Sequence, residues 1–135
     1  MTAEGAEQKD RRRSAVVLVV DDDADIRDAV REVLEEAGYA TLEASHGREA
    51  LELLQRAEVK PHLVLLDLMM PTMDGSQTIT ALRAQKETAT TPVIFLTAKT
   101  IVAEIQRMKD LGAAGVLIKP FDPRTLAADV LALLT

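Results

Sequence analysis

Residues 63–75 read Leu63-Val64-Leu65-Leu66-Asp67-Leu68-Met69-Met70-Pro71-Thr72-Met73-Asp74-Gly75, an apolar run that leads into one carboxylate and then a turn. An apolar run without polar alternation is typical of a strand that is buried on both faces. Pro71, Asp74 and Gly75 predict that the backbone then turns away. In an open parallel sheet, ligands bind at the carboxyl ends of the strands. Asp67 is therefore predicted to lie at a functional site.

Segments on both sides of this run alternate between strand and helix patterns. Further strands are predicted over 15–20, 39–44, 92–97 and 115–119. Apolar residues at helical spacing predict helices within 26–37, 50–57, 76–85, 101–111 and 126–134, with Gly38 and Gly112 as stops. Five strands that alternate with five helices predict an α/β fold, a doubly wound five-stranded parallel sheet flanked by five helices.

Length and composition narrow the class of protein. The 135 residues fit one domain, predicted over 15–135, and residues 1–14 are predicted to form a flexible polar tail despite Arg11-Arg12-Arg13. A net charge of −6 argues against nucleic acid as a partner. The chain has no cysteine, which excludes disulfides and thiolate catalysis. Its apolar runs are too short to span a membrane, so we expect a cytoplasmic protein.

Polar residues lie at the carboxyl ends of four of the predicted strands, at the same edge of the sheet. Asp21 and Asp22 come directly after the first strand, and Asp67, Thr97 and Lys119 lie at the ends of the third, fourth and fifth strands. Three carboxylates in one cleft repel each other, so a cation is expected among them, and Mg²⁺ prefers such oxygen ligands. A carboxylate, a divalent ion, an ammonium and a hydroxyl are the groups that phosphoryl transfer requires.

The same positions carry a family resemblance over nearly all of residues 15–135. The chain resembles the receiver domain of two-component response regulators, which has a flavodoxin-like fold, and is most similar to the stand-alone chemotaxis type. The matching motifs are Val19-Val20-Asp21-Asp22, Asp67-Leu68-Met69-Met70-Pro71-Thr72-Met73-Asp74-Gly75, Leu96-Thr97-Ala98 and Lys119-Pro120-Phe121.

The resemblance implies a role for each site residue. Asp67 would be the phosphoacceptor, which takes a phosphoryl group from the phosphohistidine of a histidine kinase or phosphotransfer protein. Asp22, Asp67 and the backbone carbonyl of Met69 would bind Mg²⁺ directly, and Asp21 would act through a coordinated water. Thr97 and Lys119 would hold the phosphoryl oxygens. Apart from transfer to Asp67 and its hydrolysis, no enzymatic activity is implied.

The resemblance also implies partners. A downstream protein would bind the face built by the fourth helix, fifth strand and fifth helix, and the protein would be a monomer or a phosphorylation-dependent dimer. Because the chain stops after the fifth helix, we expect a stand-alone receiver without an output domain. Neither nucleic acid nor a membrane is expected as a partner.

Three positions depart from the family pattern or vary within it. Val116, three residues before Lys119, stands where many receivers carry an aromatic side chain that turns inward on activation, and a valine has no large side chain to make that turn. Met69 and Lys99 are variable neighbours of the site. We hypothesise that they influence how water reaches the acyl phosphate, and so its lifetime.

Simpler interpretations exist for the same residues. Asp21 and Asp22 could cap the first helix, as Asp23 and Asp25 are expected to do. Lys119 could form a structural salt bridge to Asp67. His46 and His62 are expected to be solvated rather than ligands.

Two other functional classes are compatible with the fold. A Mg²⁺-dependent phosphohydrolase with an aspartyl nucleophile usually has a second acidic residue shortly after the nucleophile, whereas Leu68 and Met69 follow Asp67 here. A nucleotide-binding protein would have a glycine-rich loop after the first strand, where this chain has Asp21-Asp22-Asp23.

Overall fold

The computed structural model describes residues 15–56, 60–70, 73–98, 102–119, 122 and 124–134. Strands and helices alternate along these residues. The strands are β1 (Val16–Val20), β2 (Ala40–Ala44), β3 (Leu63–Asp67), β4 (Val93–Thr97) and β5 (Gly115–Ile118). The helices are α1 (Ala24–Glu36), α2 (Gly47–Arg56), α3 (Gly75–Ala84), α4 (Val102–Asp110) and α5 (Leu126–Leu134).

The strands form one parallel sheet in the order β2-β1-β3-β4-β5. This order confirms the predicted doubly wound fold. The chain reverses its direction of winding between β1 and β3, and a crevice for ligands opens at such a point beyond the strands' carboxyl ends. The register brings Val20 beside Leu66 and Asp67 beside Leu96, so the ends of β1, β3 and β4 are level with one another.

The sheet is covered on both faces, which explains why β1 is apolar throughout and why β3 and β4 are apolar up to their last residues, Asp67 and Thr97. One apolar cluster joins Leu18, Leu66 and Phe95 to Ala50, Ile79 and Met108 of the helices α2, α3 and α4. The other joins Val19, Leu65 and Ile94 to Val30 and Leu34 of α1 and to Leu126 and Val130 of α5. Alternate side chains of each strand thus enter opposite cores, as strand geometry requires.

The boundaries and faces differ slightly from expectation. Lys119 follows β5 instead of closing it, and α3 begins at Gly75. The apolar residues at helical spacing within 26–37 predict that Ala29 is buried with Val30, but Ala29 is exposed, because the buried stripe of α1 follows Val30 and Leu34. Gly38 and Gly112 have φ of 101° and 94°, the left-handed conformation expected after a helix.

Several sequence predictions lie outside the described residues, among them the tail over 1–14, Lys99 and Ile101. Of the helices in the described part of the chain, none is long and apolar enough to cross a membrane.

Candidate functional site

Three carboxylates converge at the carboxyl edge of the sheet. Asp21 directly follows β1, Asp67 is the last residue of β3, and these two strands are neighbours. One carboxylate oxygen from each of Asp21, Asp22 and Asp67 lies within 4.8 Å of the others. Asp21 is 0% and Asp67 4% exposed, whereas Asp22 faces solvent. Two of the three carboxylates are therefore buried, and the third is exposed.

Asp21 is held on both sides by hydrogen bonds. Its Oδ1 accepts the backbone N–H of Asp23 at 2.9 Å, and its Oδ2 accepts Lys119 Nζ at 2.7 Å. Its own N–H donates to the Ala44 carbonyl at 3.2 Å, which extends the β1–β2 pairing by one residue. Asp21 is therefore not the helix cap; Asp23 caps α1 by accepting the N–H groups of Asp25 and Ile26.

Lys119 supplies a positive charge among these carboxylates. Its Nζ lies 2.7 Å from Asp21 Oδ2 and 3.4 Å from Asp67 Oδ1, so the expected bridge to Asp67 is the longer of two. Burial lowers the pKa of Lys119, but the hydrogen bond and charge of Asp21, with the charge of Asp67, outweigh burial and raise it. The ammonium is thus firmly charged.

The surroundings of Asp67 disfavour its charged form, whereas those of Lys119 favour the ammonium. Burial, followed by the charge of Asp21, raises the pKa of Asp67 from 3.8 to about 6, although Lys119 and the Met69 amide both lower it. Met69 N donates to Asp67 Oδ1 at 3.2 Å. Without a bound cation, the ionised carboxylate of Asp67 therefore lowers the stability of the folded protein.

The loop that follows Asp67 folds back tightly on the strand. Gly75 N donates to the Leu68 carbonyl at 2.9 Å. A Cβ at Gly75 would lie 2.8 Å from Asp67 O, from Leu68 Cα and from Phe95 Cε1, so only glycine fits. Asp74 caps α3 in a reciprocal box with Gln77. The Asp-Gly pair therefore positions the backbone that follows Asp67 and is more than a simple turn.

Thr97 ends β4, next to β3, and is 1% exposed. Its carbonyl accepts the N–H of Lys119 at 2.7 Å, which ties the ends of β4 and β5 together. The structure thus places Asp21, Asp22, Asp67, Thr97 and Lys119 at one edge of the sheet.

Arg27 is a neighbour of the site that the sequence analysis missed. Its Nη1 donates to the Asp21 carbonyl at 2.6 Å, and its Nε lies 3.9 Å from Glu43 Oε1 on β2. The sequence held one signal. A cation in the first turns of a helix opposes the macrodipole, so Arg27 must have another partner.

His46 and His62 are not close to the carboxylates in any described contact. Both are at least partly exposed, as expected. Each ring also has a structural role, because Nδ1 accepts a backbone N–H, from Glu49 at 3.1 Å for His46 and from Val16 at 3.0 Å for His62.

Comparison with known proteins decides the family. The family model of the response regulator receiver domain matches residues 17–131. The chain belongs to the response regulator receiver domains. It thus belongs to a family of signalling modules rather than dedicated enzymes.

Curated relatives of this receiver domain include longer proteins. The transcriptional regulatory protein ResD of Bacillus subtilis is 40% identical over 125 residues, which are 93% of this chain and 50% of ResD. The transcriptional regulatory protein SrrA of Staphylococcus aureus is 42% identical over 120 residues, 87% of this chain and 47% of SrrA. The chain thus spans about half the length of these curated relatives.

Among solved structures, the chemotaxis response regulator CheY4 of Vibrio cholerae is similar with a TM-score of 0.82 and 39% identity. The match covers 88% of this chain and 98% of CheY4.

The donor set of this receiver suits the Mg²⁺ that its family generally binds. All three clustered side chains are carboxylates, which are hard oxygen ligands, and Asp22 leaves one side of the cluster open to water. The charge of the site also suits a cation, because three carboxylates face a single ammonium and leave an excess of negative charge.

Val116 is half-buried and lies opposite Phe95 in the β4–β5 pair. Phe95 is fully buried and packs in the core of α2, α3 and α4. The aromatic ring in this part of the receiver therefore belongs to the neighbouring strand and is fixed in the core, whereas Val116 has no large side chain to turn.

Proposed function

We propose that this receiver is the phosphoacceptor of a two-component system or phosphorelay, with Asp67 as the residue that takes the phosphoryl group. One observation carries the proposal. The buried carboxylate of Asp67 lies at the sheet edge with two carboxylates within 4.8 Å and an ammonium at 3.4 Å. Such a group can act as a nucleophile once a bound cation offsets the negative charge.

In the proposed reaction, an oxygen of Asp67 attacks the phosphorus of a phosphohistidine. The new O–P bond forms as the N–P bond breaks, and the electron pair of that bond stays on the imidazole of the donor protein. Lys119 Nζ and the Thr97 hydroxyl would donate to the phosphoryl oxygens. Mg²⁺ in the site would neutralise charge that develops on those oxygens.

Asp22, Asp67 and the Met69 carbonyl are proposed to bind Mg²⁺ directly, and Asp21 through a water. The exposure of Asp22 and the occupation of Asp21 by Lys119 and the Asp23 amide support this division. Asp21 would then orient the metal-bound water.

The partners are proposed from the family. A histidine kinase or phosphotransfer protein would supply the phosphoryl group, and a downstream protein would bind the α4–β5–α5 face. Ile118 of the edge strand β5 is 37% exposed, which supports an apolar contact there. Phosphorylation would change this binding, or lead to dimerisation.

The decisive experiment is incubation with acetyl phosphate or phosphoramidate and Mg²⁺, followed by intact-protein mass spectrometry. We expect one acid-stable, base-labile phosphoryl group. Asp67→Asn should abolish it, and Asp23→Asn, which keeps a helix-capping side chain, should retain it. Full phosphorylation of the Asp67→Asn variant at the wild-type rate would refute the assignment.

A further inference from the structure

Met69 differs from the other methionines that the structure describes. It is 59% exposed, whereas Met70 is 8% and Met108 2% exposed. Met73 is half-buried, and a Cβ built on Gly47 would lie only 3.2 Å from its sulfur, so it is packed against the start of α2. Among these four side chains, solvent reaches the thioether of Met69 most freely.

Its position sets Met69 beside the reacting group. It follows Asp67 by two residues, and its amide N–H donates to Asp67 Oδ1 at 3.2 Å. The exposed side chain therefore leaves a backbone that directly contacts the proposed phosphoacceptor. A large apolar side chain that remains in solvent is also unusual in a charged site, because it does not contribute the stabilising free energy that burial would give.

We propose that Met69 is a redox modification site, which hydrogen peroxide or another hydroperoxide converts to methionine sulfoxide. The sulfur lone pair attacks the terminal peroxide oxygen, an S–O bond forms, the O–O bond breaks, and the proton of the attacked oxygen passes to the departing oxygen. The sulfur is oxidised by two electrons, and the peroxide is reduced to water or the corresponding alcohol. The product remains reversible by methionine sulfoxide reductases.

Oxidation changes what this side chain offers to solvent. A thioether is a weak hydrogen-bond acceptor, whereas a sulfoxide oxygen is a polar one. Placed beside Asp67, the sulfoxide holds water where the thioether does not. This step rests on the proposed function: the water shortens the lifetime of the acyl phosphate, and peroxide thereby returns the receiver to its unphosphorylated state.

The first experiment tests the site without phosphorylation. The native protein is treated with hydrogen peroxide for graded times, and peptide mass spectrometry follows each methionine. Met69 should be oxidised at least about fivefold faster than Met70, Met73 and Met108, and the differences should vanish in concentrated urea, where exposure is equal. If Met69 reacts no faster than Met108 in the folded protein, the proposal is wrong.

The second experiment measures acyl phosphate decay after removal of the phosphodonor. Peroxide-treated protein should lose its phosphoryl group about threefold faster than untreated protein, and methionine sulfoxide reductase should restore the slower rate. Met69→Leu should remove the response to peroxide, and Met73→Leu should keep it. Equal decay rates before and after oxidation would overturn the regulatory role.

The two proposals fail in different ways. If the untreated protein takes up no phosphoryl group, the proposed function is wrong and the regulatory role falls with it. Peptide mass spectrometry tests the modification site whether or not the protein takes up a phosphoryl group.

Discussion

Lys119 Nζ lies closer to Asp21 Oδ2, at 2.7 Å, than to Asp67 Oδ1, at 3.4 Å. Asp21 is fully buried, so this ammonium compensates a carboxylate that water does not reach. The contact to Asp67 is longer and therefore easier to exchange. Lys119 can thus stabilise the site through Asp21, and in the proposed reaction its remaining donors would be available to a phosphoryl oxygen.

Replacement of Lys119 is therefore expected to cost stability as well as phosphorylation. Lys119→Met leaves Asp21 buried without its charged partner, which should destabilise the protein by about 2–4 kcal/mol in urea unfolding. The exposed Lys86 is a matched control, because Lys86→Met removes the same charge from the surface. Equal unfolding midpoints for the two variants would show that Lys119 does not stabilise the resting site.

Asp67→Asn should stabilise the protein when Mg²⁺ is absent. The folded state raises the pKa of Asp67 from 3.8 to about 6, so it binds the proton more tightly than the unfolded chain does. The cost of the ionised carboxylate is therefore fully present above pH 6 and is lost as the pH falls through 6 towards 3.8. Asparagine mimics the neutral form, and the expected gain at pH 7.5 is about 1–3 kcal/mol.

The stability that Asp67→Asn gains over wild type should become smaller as the pH falls. The difference in unfolding free energy between Asp67→Asn and wild type should fall to about half by pH 5, because wild-type Asp67 is then largely protonated in the folded state. Urea titrations in EDTA at pH 7.5 and 5 provide the measurement. Asp110→Asn, an exposed position on α4, is the control. A difference that grows on acidification would contradict the raised pKa.

The sheet edge was predictable from sequence, whereas the distances within it were not. Apolar runs that end in Asp21, Asp67 and Thr97 are enough to place these residues together, because the strands of a parallel sheet end at one edge. Which carboxylate Lys119 approaches depends on side-chain conformations and on how far the loops fold back. Arg27 was missed for the same reason, since its place in the first turns of a helix indicates that it has a partner but not that the partner is the backbone carbonyl of Asp21.

Mg²⁺ should stabilise the protein through the acidic cluster. A ligand that binds only the folded state at ten times its dissociation constant adds about 1.4 kcal/mol. We expect this gain in urea unfolding with Mg²⁺ against EDTA, and we expect Asp22→Asn to reduce it strongly. Asp23→Asn is the matched control, because it removes the adjacent carboxylate while keeping a side chain that caps α1. Equal loss in both variants would indicate general charge screening instead of a site.

Gly75 packs directly against the backbone of Asp67, the proposed phosphoacceptor. A methyl group there would lie 2.8 Å from the Asp67 carbonyl, Leu68 Cα and the Phe95 ring. Two of these neighbours are backbone and the third is buried, so the loop must move and carry Asp67 with it. Gly75→Ala should therefore destabilise the protein by about 1–3 kcal/mol and slow phosphorylation by acetyl phosphate. Ser76→Ala, one position along the same helix, should change both by much less. If Gly75→Ala loses stability yet is phosphorylated at the wild-type rate in Mg²⁺, then the close approach serves only packing, because Asp67 has kept its position relative to Asp22 and Lys119.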